Sequence, residues 1–493
     1  MPKPKALVVG AGVAGLAAAL RLKGSGYDVE VFEAASHPGG KMGEWASKGY
    51  RFDTGPSLFT LPHLVEQTIA TVHTKTTDYF NYDKHPTACT YFWEDGTELI
   101  AEGQVDAFSH KAAEVLGGNT QTIEKYFVEA AEMYDTTRGV FLERSLHRWQ
   151  TYLTKDVWKA IPKLPSLGLF SSLHERNKKR LGNNDKLVQL FDRFATYNGS
   201  SPYLTPGIMQ MICHLEHGIG TFYPKGGMSS IPKSMFNAGK DAGIVYHFGQ
   251  KVEKIHVENG KTKGIAVDGN NHMANVVVCN VDVRSAYKHL LTDIPTPKNI
   301  VRQKPSSSAI IFYWGIKQTF PKLDLHNIFF SEDYKAEFDA IFSKETLYDD
   351  PTVYINISSK VDAADAPKGC ENWFVMINVP ADSGQDWDAL TRQAKAFIIE
   401  KLDRMLEVDV ESLIETENIL TPPQIEQKTS SQGGALYGSS SNERMAAFFR
   451  QANFHNKISG LYFCGGSVHP GGGIPLCMQS ARITADLIAN NPS

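Results

Sequence analysis

The chain has 493 residues, more than one simple core organises, so two or more domains are expected. Lys plus Arg total 50 against 54 for Asp plus Glu, a formal net charge of −4, and that balance gives no footprint for nucleic acid. Six scattered cysteines form no C-x-x-C pair and no metal-like Cys/His spacing, which points to reduced thiols in a cytoplasmic setting and to no metal site.

Met1 to Lys5 leads straight into an apolar run and leaves no room for a signal peptide. No stretch of about eighteen apolar residues occurs to span a bilayer. Leu7 to Val9 reads as a buried parallel strand, followed by Gly10, Gly12 and Gly15 in G-x-G-x-x-G spacing and by helical character from Leu16 to Leu22. Gly10 permits the turn out of the strand, Gly12 lets a pyrophosphate approach the backbone, and Gly15 lets helix and strand pack closely. The N–H groups near Val13 and Ala14 then face the anion at the positive end of the helix dipole. Asp28 to Phe32 is a second strand. Glu33 ends it about eighteen residues after Gly15, where a carboxylate bonds a ribose hydroxyl, with Ala34 at the same corner.

Just beyond, "ASHPGGKMGEW" places Gly39, Gly40 and Lys41 for a second close backbone approach and a cation near the same pyrophosphate. A nicotinamide enzyme rarely needs this; a tightly held flavin does. Further along, "QKVEKIHVENGKTKGIAVDG" and "ANVVVCNVDV" read as strands, with "ENGKTKG" as a hairpin-like turn. "SSSAIIFYWGIKQTF" (306–320) is a strand of a different region. "GLYFCGG" is a buried strand ending in Gly465 and Gly466, which would meet the ribityl phosphate region. Gly471 to Gly473 could lie against an isoalloxazine edge, and N–H groups near Ile474 and Met478, at the start of the last helix, could polarise the flavin N1–O2 locus. The simplest organisation is α/β: a discontinuous Rossmann-type dinucleotide-binding domain (1–73, 220–298 and 436–493) with an inserted α+β substrate domain (74–219 and 299–435).

The glycine fingerprint with Glu33, "GGK", "GYRFDTGPSLFTLP", "FYPKGGMSSIPKSM" and "HPGGGIPL" occur in this order over most of the chain. Together they resemble the two-domain flavoproteins that include amine oxidases, Rab escort-type proteins and bacterial carotenoid (phytoene-type) desaturases, the last most closely. "GGKMGEW…YRFDTGPSLFTLPHLV" and "LDLHNIFFSEDYKAEF" look closest to the hydroxycarotenoid 3,4-desaturase branch. The resemblance implies FAD as cofactor and a carotenoid as substrate. It implies that Gly55, Pro56 and Ser57 bring backbone against the flavin and that Val252 pairs with adenine. Phytoene- or lycopene-type desaturation, an amine oxidase and a non-enzymatic escort protein remain the alternatives.

Desaturation of a polyene begins with hydride loss to the flavin, because an unactivated C–H is not acidic whereas an allylic cation is spread along the conjugated chain. One modest base then takes a proton. "ICHLEHGIGTFYPKGG" offers His214, Glu216 and His217, with Glu216 and His214 the candidate catalytic pair; the competing reading is a helix-end acid beside surface histidines. Asp192 and Arg193 read as a structural ion pair, and His469 as a loop histidine or a neighbour of the flavin glycines. Carotenoids reside in membranes. Val157 to Gly182 mixes Trp158, Ile161, Leu164, Leu167, Leu169 and Phe170 with Lys178, Lys179 and Arg180, a pattern suited to peripheral contact with a membrane surface or to a lid packed on its own domain.

Overall fold

Val-rich runs alternating with helices give a parallel sheet because each crossover returns the chain in the same direction. In the computed structural model, which describes residues 3–443 and 450–490, this sheet has five strands. Their order is Leu461–Phe463, Val276–Cys279, Lys5–Val9, Asp28–Glu33, Val245–Phe248, and every pairing is parallel. Alternate side chains of the central strand point to opposite faces. Ala6 and Val8 pack with Leu16 and Leu20 of the helix Val13–Gly24 and with Met478 and Ala481 of the helix Ile474–Ala489. Leu7 and Val9 pack with Ile255, Ile265 and Val267 of a three-stranded antiparallel sheet. Its hairpin turns at Asn259 and Gly260, both with positive φ (50° and 70°), which is the geometry Asn-Gly favours between two strands.

The second sheet has seven strands in the order Ile414–Leu420, Ser308–Ile316, Glu371–Val379, Val353–Ile357, His326–Phe329, Thr87–Phe92, Glu98–Glu102. Parallel pairing of Asn327 with Thr90, Ile328 with Tyr91 and Phe329 with Phe92 joins chain segments far apart in sequence into one sheet. The expected strand over 306–320 is Ser308–Ile316, buried along its whole length. On one face Ile310, Phe312 and Trp314 pack with Trp373, Val375 and Ile377 and with Ile398 and Leu402 of the helix Trp387–Leu406. On the other face Ala309, Ile311 and Tyr313 meet Tyr50 and Phe52 of the hairpin Glu44–Asp53. That hairpin lies early in the chain, yet it packs on the second sheet. A helical cap, including Thr120–Thr137 and Asp185–Asp192, closes around Phe108, Tyr126, Phe127 and Phe191. Among the described residues no helix is long and apolar enough to cross a membrane.

Trp314 is fully buried and donates its indole N–H to Glu417 at 2.7 Å. Trp314→Ala should cost about 3–5 kcal/mol by leaving a large cavity, read as a lower denaturant midpoint followed through the flavin absorbance and far-UV circular dichroism.

Candidate functional site

The carboxyl ends of the parallel strands converge on Asn280, which directly follows the strand Val276–Cys279. A Cβ on Gly12 or Gly15 would lie 2.9 Å from Asn280 Nδ2, and one on Gly465 would lie 2.7 Å from its Oδ1. On Gly15 a Cβ would also stand 2.0 Å from the Gly10 carbonyl oxygen. Gly10 itself has φ +96°. The loop of Gly39 and Gly40 lies on the same backbone: Gly39 N–H donates to the Ala11 carbonyl at 2.9 Å, and a Cβ on Gly40 would lie 3.2 Å from the Gly12 Cα. Gly10, Gly12, Gly466 and Gly473 are half-buried, whereas Ala11, Val13, Ala14, Gly15 and Gly465 are buried. The accessible edge is therefore bare backbone.

This edge fits a dinucleotide. The helix Val13–Gly24 starts at Gly12 with no side-chain cap and no acid in its first turn, so no side chain of that turn neutralises its positive end. Glu33, at the end of the adjacent strand, accepts the N–H groups of Ala11 (2.6 Å) and Ala35 (2.8 Å), which holds the carboxylate beside the glycine loop. Ala34 is exposed at that corner. Val252 is buried at the start of its strand, close to the corner through the bond from Gln250 N–H to the Glu33 carbonyl at 2.9 Å. The last helix begins at Gly473, whose φ is +98°, again with no side-chain cap, and a Cβ there would meet open space.

Two expectations change in detail. Lys41 does not point along the glycine loops. Its ammonium donates to the carbonyls of Ala435 (3.0 Å) and Leu436 (2.9 Å), while burial pushes its pKa down. Met478 lies beyond the first turn of the last helix, past Cys477, whose N–H already bonds the Gly473 carbonyl at 2.9 Å, and its side chain is buried in the core. Only the start of that helix, at Ile474, stands at the site. Gly55 sits against Lys41: a Cβ there would be 2.0 Å from the Lys41 carbonyl oxygen. Pro56 is exposed, and Ser57 directs its hydroxyl to Tyr354 at 2.8 Å.

The acid and histidines of "HLEH" are arranged differently from either reading. Glu216 is 1 % exposed, so it is no surface acid. It accepts from Arg193, Tyr197, Tyr91 (3.4 Å) and His217 (3.2 Å). The guanidinium of Arg193 overcomes the cost of burial and holds the carboxyl well below the usual range. Arg193 thus pairs with Glu216 and not with Asp192. Asp192 accepts instead from His174 (2.6 Å) and Asn177 (2.8 Å). His214 stands apart from Glu216, half-buried against Tyr134 with ring centroids 5.6 Å apart, and burial lowers its pKa. His469 is buried and bonds the Arg144 carbonyl at 2.8 Å; burial lowers its pKa to about 4.

Sequence reasoning missed Asn280, Tyr354 and Arg450. Asn280 had a signal, since a polar residue directly after a four-residue apolar strand falls at the ligand-binding end of a parallel sheet. Arg450 is 2 % exposed and donates to the carbonyls of Tyr437 (3.1 Å), Gly466 (3.1 Å) and Ser439 (2.8 Å) and to Asn198 Oδ1 (3.2 Å). No local pattern announces it.

A parallel sheet with a glycine-lined edge and a terminal acid, beside a second mixed sheet, is the architecture of a flavoprotein oxidoreductase with a Rossmann-type FAD-binding domain. The chain belongs to the flavin containing amine oxidoreductase family, whose model matches residues 13–489, and its cofactor is FAD. A 1-hydroxycarotenoid 3,4-desaturase from Flavobacterium sp. (strain P99-3) is 54% identical over 489 residues, covering 99% of each chain. A 4,4'-diapolycopene oxygenase from Methylomonas sp is 28% identical over 492 residues, covering 98% of each. A solved oxidoreductase from Methanosarcina mazei shares the fold, with a TM-score of 0.63 at 16% identity, over 97% of this chain and 98% of that one.

Glu216→Gln would leave the Arg193 charge buried without its counter-ion, at a cost of about 3–5 kcal/mol. The folded-state pKa of Glu216 is depressed below the ordinary 4.5, so the pair stabilises the protein above that pH and the contribution fades as pH falls below it. The variant should melt lower at neutral pH, and its melting temperature should fall less steeply than that of the wild type on acidification.

Proposed function

We propose that this protein is an FAD-dependent carotenoid desaturase that introduces the 3,4 double bond into a 1-hydroxycarotenoid. The observation that carries this reading is the 54% identity, over 99% of both chains, to the Flavobacterium enzyme of that name. The bound flavin supplies the hydride acceptor. The protein's part is to exclude water and aim the reacting carbon. In this reading residues 1–73, 220–298 and 436–493 hold the cofactor, while 74–219 and 299–435 enclose the substrate. Gly10, Gly12, Val13, Ala14, Gly15, Glu33, Ala34 and Gly40 serve the adenosine and pyrophosphate with Val252. Gly55, Pro56, Ser57, Gly465, Gly466, Gly473 and Ile474 face the rest of the cofactor.

Of the two residues proposed for proton removal, Glu216 is held ionised by Arg193 and is a weak base, so its role is to fix Arg193 and Tyr197 beside the substrate region. His214, kept neutral by burial, is the one left able to accept a proton. Expression in cells that accumulate a defined 1-hydroxycarotenoid should yield pigment with a red-shifted spectrum from one added conjugated double bond. An unshifted spectrum with that substrate, and a shift with phytoene or lycopene, would move the assignment to the other desaturases. Peroxide release with amines and no pigment change would move it to amine oxidation.

The substrate's source also has a candidate surface. Trp158, Ile161, Leu164 and Phe170 are exposed, at 65%, 45%, 37% and 80%, while Leu167 is buried and Leu169 half-buried. Trp149, Tyr152 and Leu153, which precede the expected stretch, are exposed as well. Lys155, Lys159 and Lys163 are exposed between them. Aromatic and aliphatic side chains interleaved with lysines suit peripheral contact with an anionic bilayer. Replacing Trp149, Trp158 and Phe170 together by Ser should weaken co-sedimentation with anionic liposomes at least tenfold, given about 1.5–3 kcal/mol for each large side chain fully buried. Unchanged sedimentation would remove the membrane role of this surface.

A further inference from the structure

The face of the second sheet that meets the flavin loop carries a short polar track. Tyr354 Oη lies 2.8 Å from Ser57 Oγ and 2.8 Å from His326 Nδ1. Ser57 belongs to the loop whose Gly55 packs on the Lys41 backbone, so the track begins beside the cofactor region. Tyr354 and its register partner Met376 are half-buried, as is Asn378 two residues on, while the residues between them are buried. Accessible space therefore runs along this face. His326 is 2 % exposed.

The proton positions follow from the neighbours. Asn356 Nδ2 donates to the Leu325 carbonyl at 2.9 Å and lies 3.3 Å from His326 Nδ1, so the amide nitrogen faces the ring. The amide nitrogen at 3.3 Å favours the tautomer with the proton on Nε2 and Nδ1 as acceptor. Burial pushes the His326 pKa down to about 3, and the ring is neutral. In that tautomer Tyr354 donates its O–H to Nδ1. Its oxygen is left as an acceptor toward Ser57 and the accessible space. Nε2 is buried with no hydrogen-bond partner among the described residues.

We propose that the Tyr354 hydroxyl, with Ser57 beside it, receives the O–H of the tertiary alcohol at the end of the substrate, and that His326 is the positioning residue that makes Tyr354 an acceptor. The inference rests on the desaturase reading above. In a 1-hydroxycarotenoid the oxygen is on C1 and the new bond forms between C3 and C4. The hydroxyl must therefore bind within a few ångströms of the carbon that faces the flavin, which is where Ser57 places the track. A carotene without the hydroxyl would desolvate the Tyr354 oxygen and give nothing in return, and sites built this way discriminate strongly.

The test uses the FAD-loaded enzyme in liposomes with two substrates, a 1-hydroxycarotenoid and the same carotene lacking the hydroxyl, and reads the ratio of their kcat/KM values. The wild type should favour the hydroxylated substrate. Tyr354→Phe should lower that ratio about tenfold, the worth of one buried neutral hydrogen bond, with flavin absorbance retained. His326→Phe should lower it in the same direction although it does not touch substrate. If Tyr354→Phe does not fold, Ser57→Ala removes a single hydroxyl and reads the same ratio. Equal losses on both substrates, or an unaltered ratio, would overturn the inference and leave the desaturase reading standing. A wild type that desaturates neither substrate would sink that reading and this inference with it.

Discussion

Three stretches remote in sequence close in on the side chain of one asparagine, and the site depends on that contact. Gly12, Gly15 and Gly465 each leave out the Cβ that would strike Asn280, and Gly40 leaves out one that would crowd Gly12. At this contact the first helix starts with no side-chain cap. Side chains would fill this edge and satisfy the donors at that helix start internally. Their absence leaves the same surface open to an anion and makes it a junction between the two ends of the chain.

Buried cations extend the junction in two chemically distinct ways. Arg450 and Lys41 are satisfied by carbonyl oxygens: Arg450 by Tyr437, Ser439 and Gly466, Lys41 by Ala435 and Leu436. Both therefore pin the segment just after residue 434, where the chain leaves the second sheet and returns to the first. Burial alone lowers their affinity for protons, to about 10 for Arg450. Arg193 meets a carboxylate instead, and its pKa is driven up. A carbonyl-bound cation acts as a clip between backbones. An ion pair fixes one acid, Glu216, and through it the orientation of Tyr197 and Tyr91.

The parts legible in the sequence are those that backbone geometry dictates. The glycine spacing, Glu33 and the Asn-Gly hairpin each report a local conformation that few residues permit, and local conformation is readable from a short window. The strands of the first sheet follow from their apolar runs. What escaped was set by contacts across long separations. Adjacent residues in a helical turn point apart, so Arg193 pairs not with its neighbour Asp192 but with Glu216, twenty-three positions later. Lys41 was aimed at an anion because of the glycines beside it, whereas its acceptors lie 394 and 395 residues away. Tyr354 and Asn356 alternate with apolar residues in an ordinary strand, and the sheet register sets Asn356 opposite His326.

The two sheets offer different kinds of surface, and the proposed chemistry needs both. A parallel sheet is covered on both faces by its own connections, so only its strand ends are open, and these suit a compact charged group held by N–H donors. The second sheet is packed by the helix Trp387–Leu406 on one face and by the hairpin Glu44–Asp53 on part of the other, and keeps an accessible stretch at Tyr354, Met376 and Asn378. Its strand Glu371–Val379 has nine residues, about 30 Å at roughly 3.4 Å per residue. That length suits a rigid polyene, which needs an extended apolar wall and few polar contacts. Placing the polar track of Ser57, Tyr354 and His326 where this wall meets the flavin loop means that a single hydrogen bond at one end can fix the register of the whole chain. For a substrate made of repeating units, such a stop at the end decides which carbon reaches the flavin, since the apolar wall alone would accept the molecule slid by any number of units.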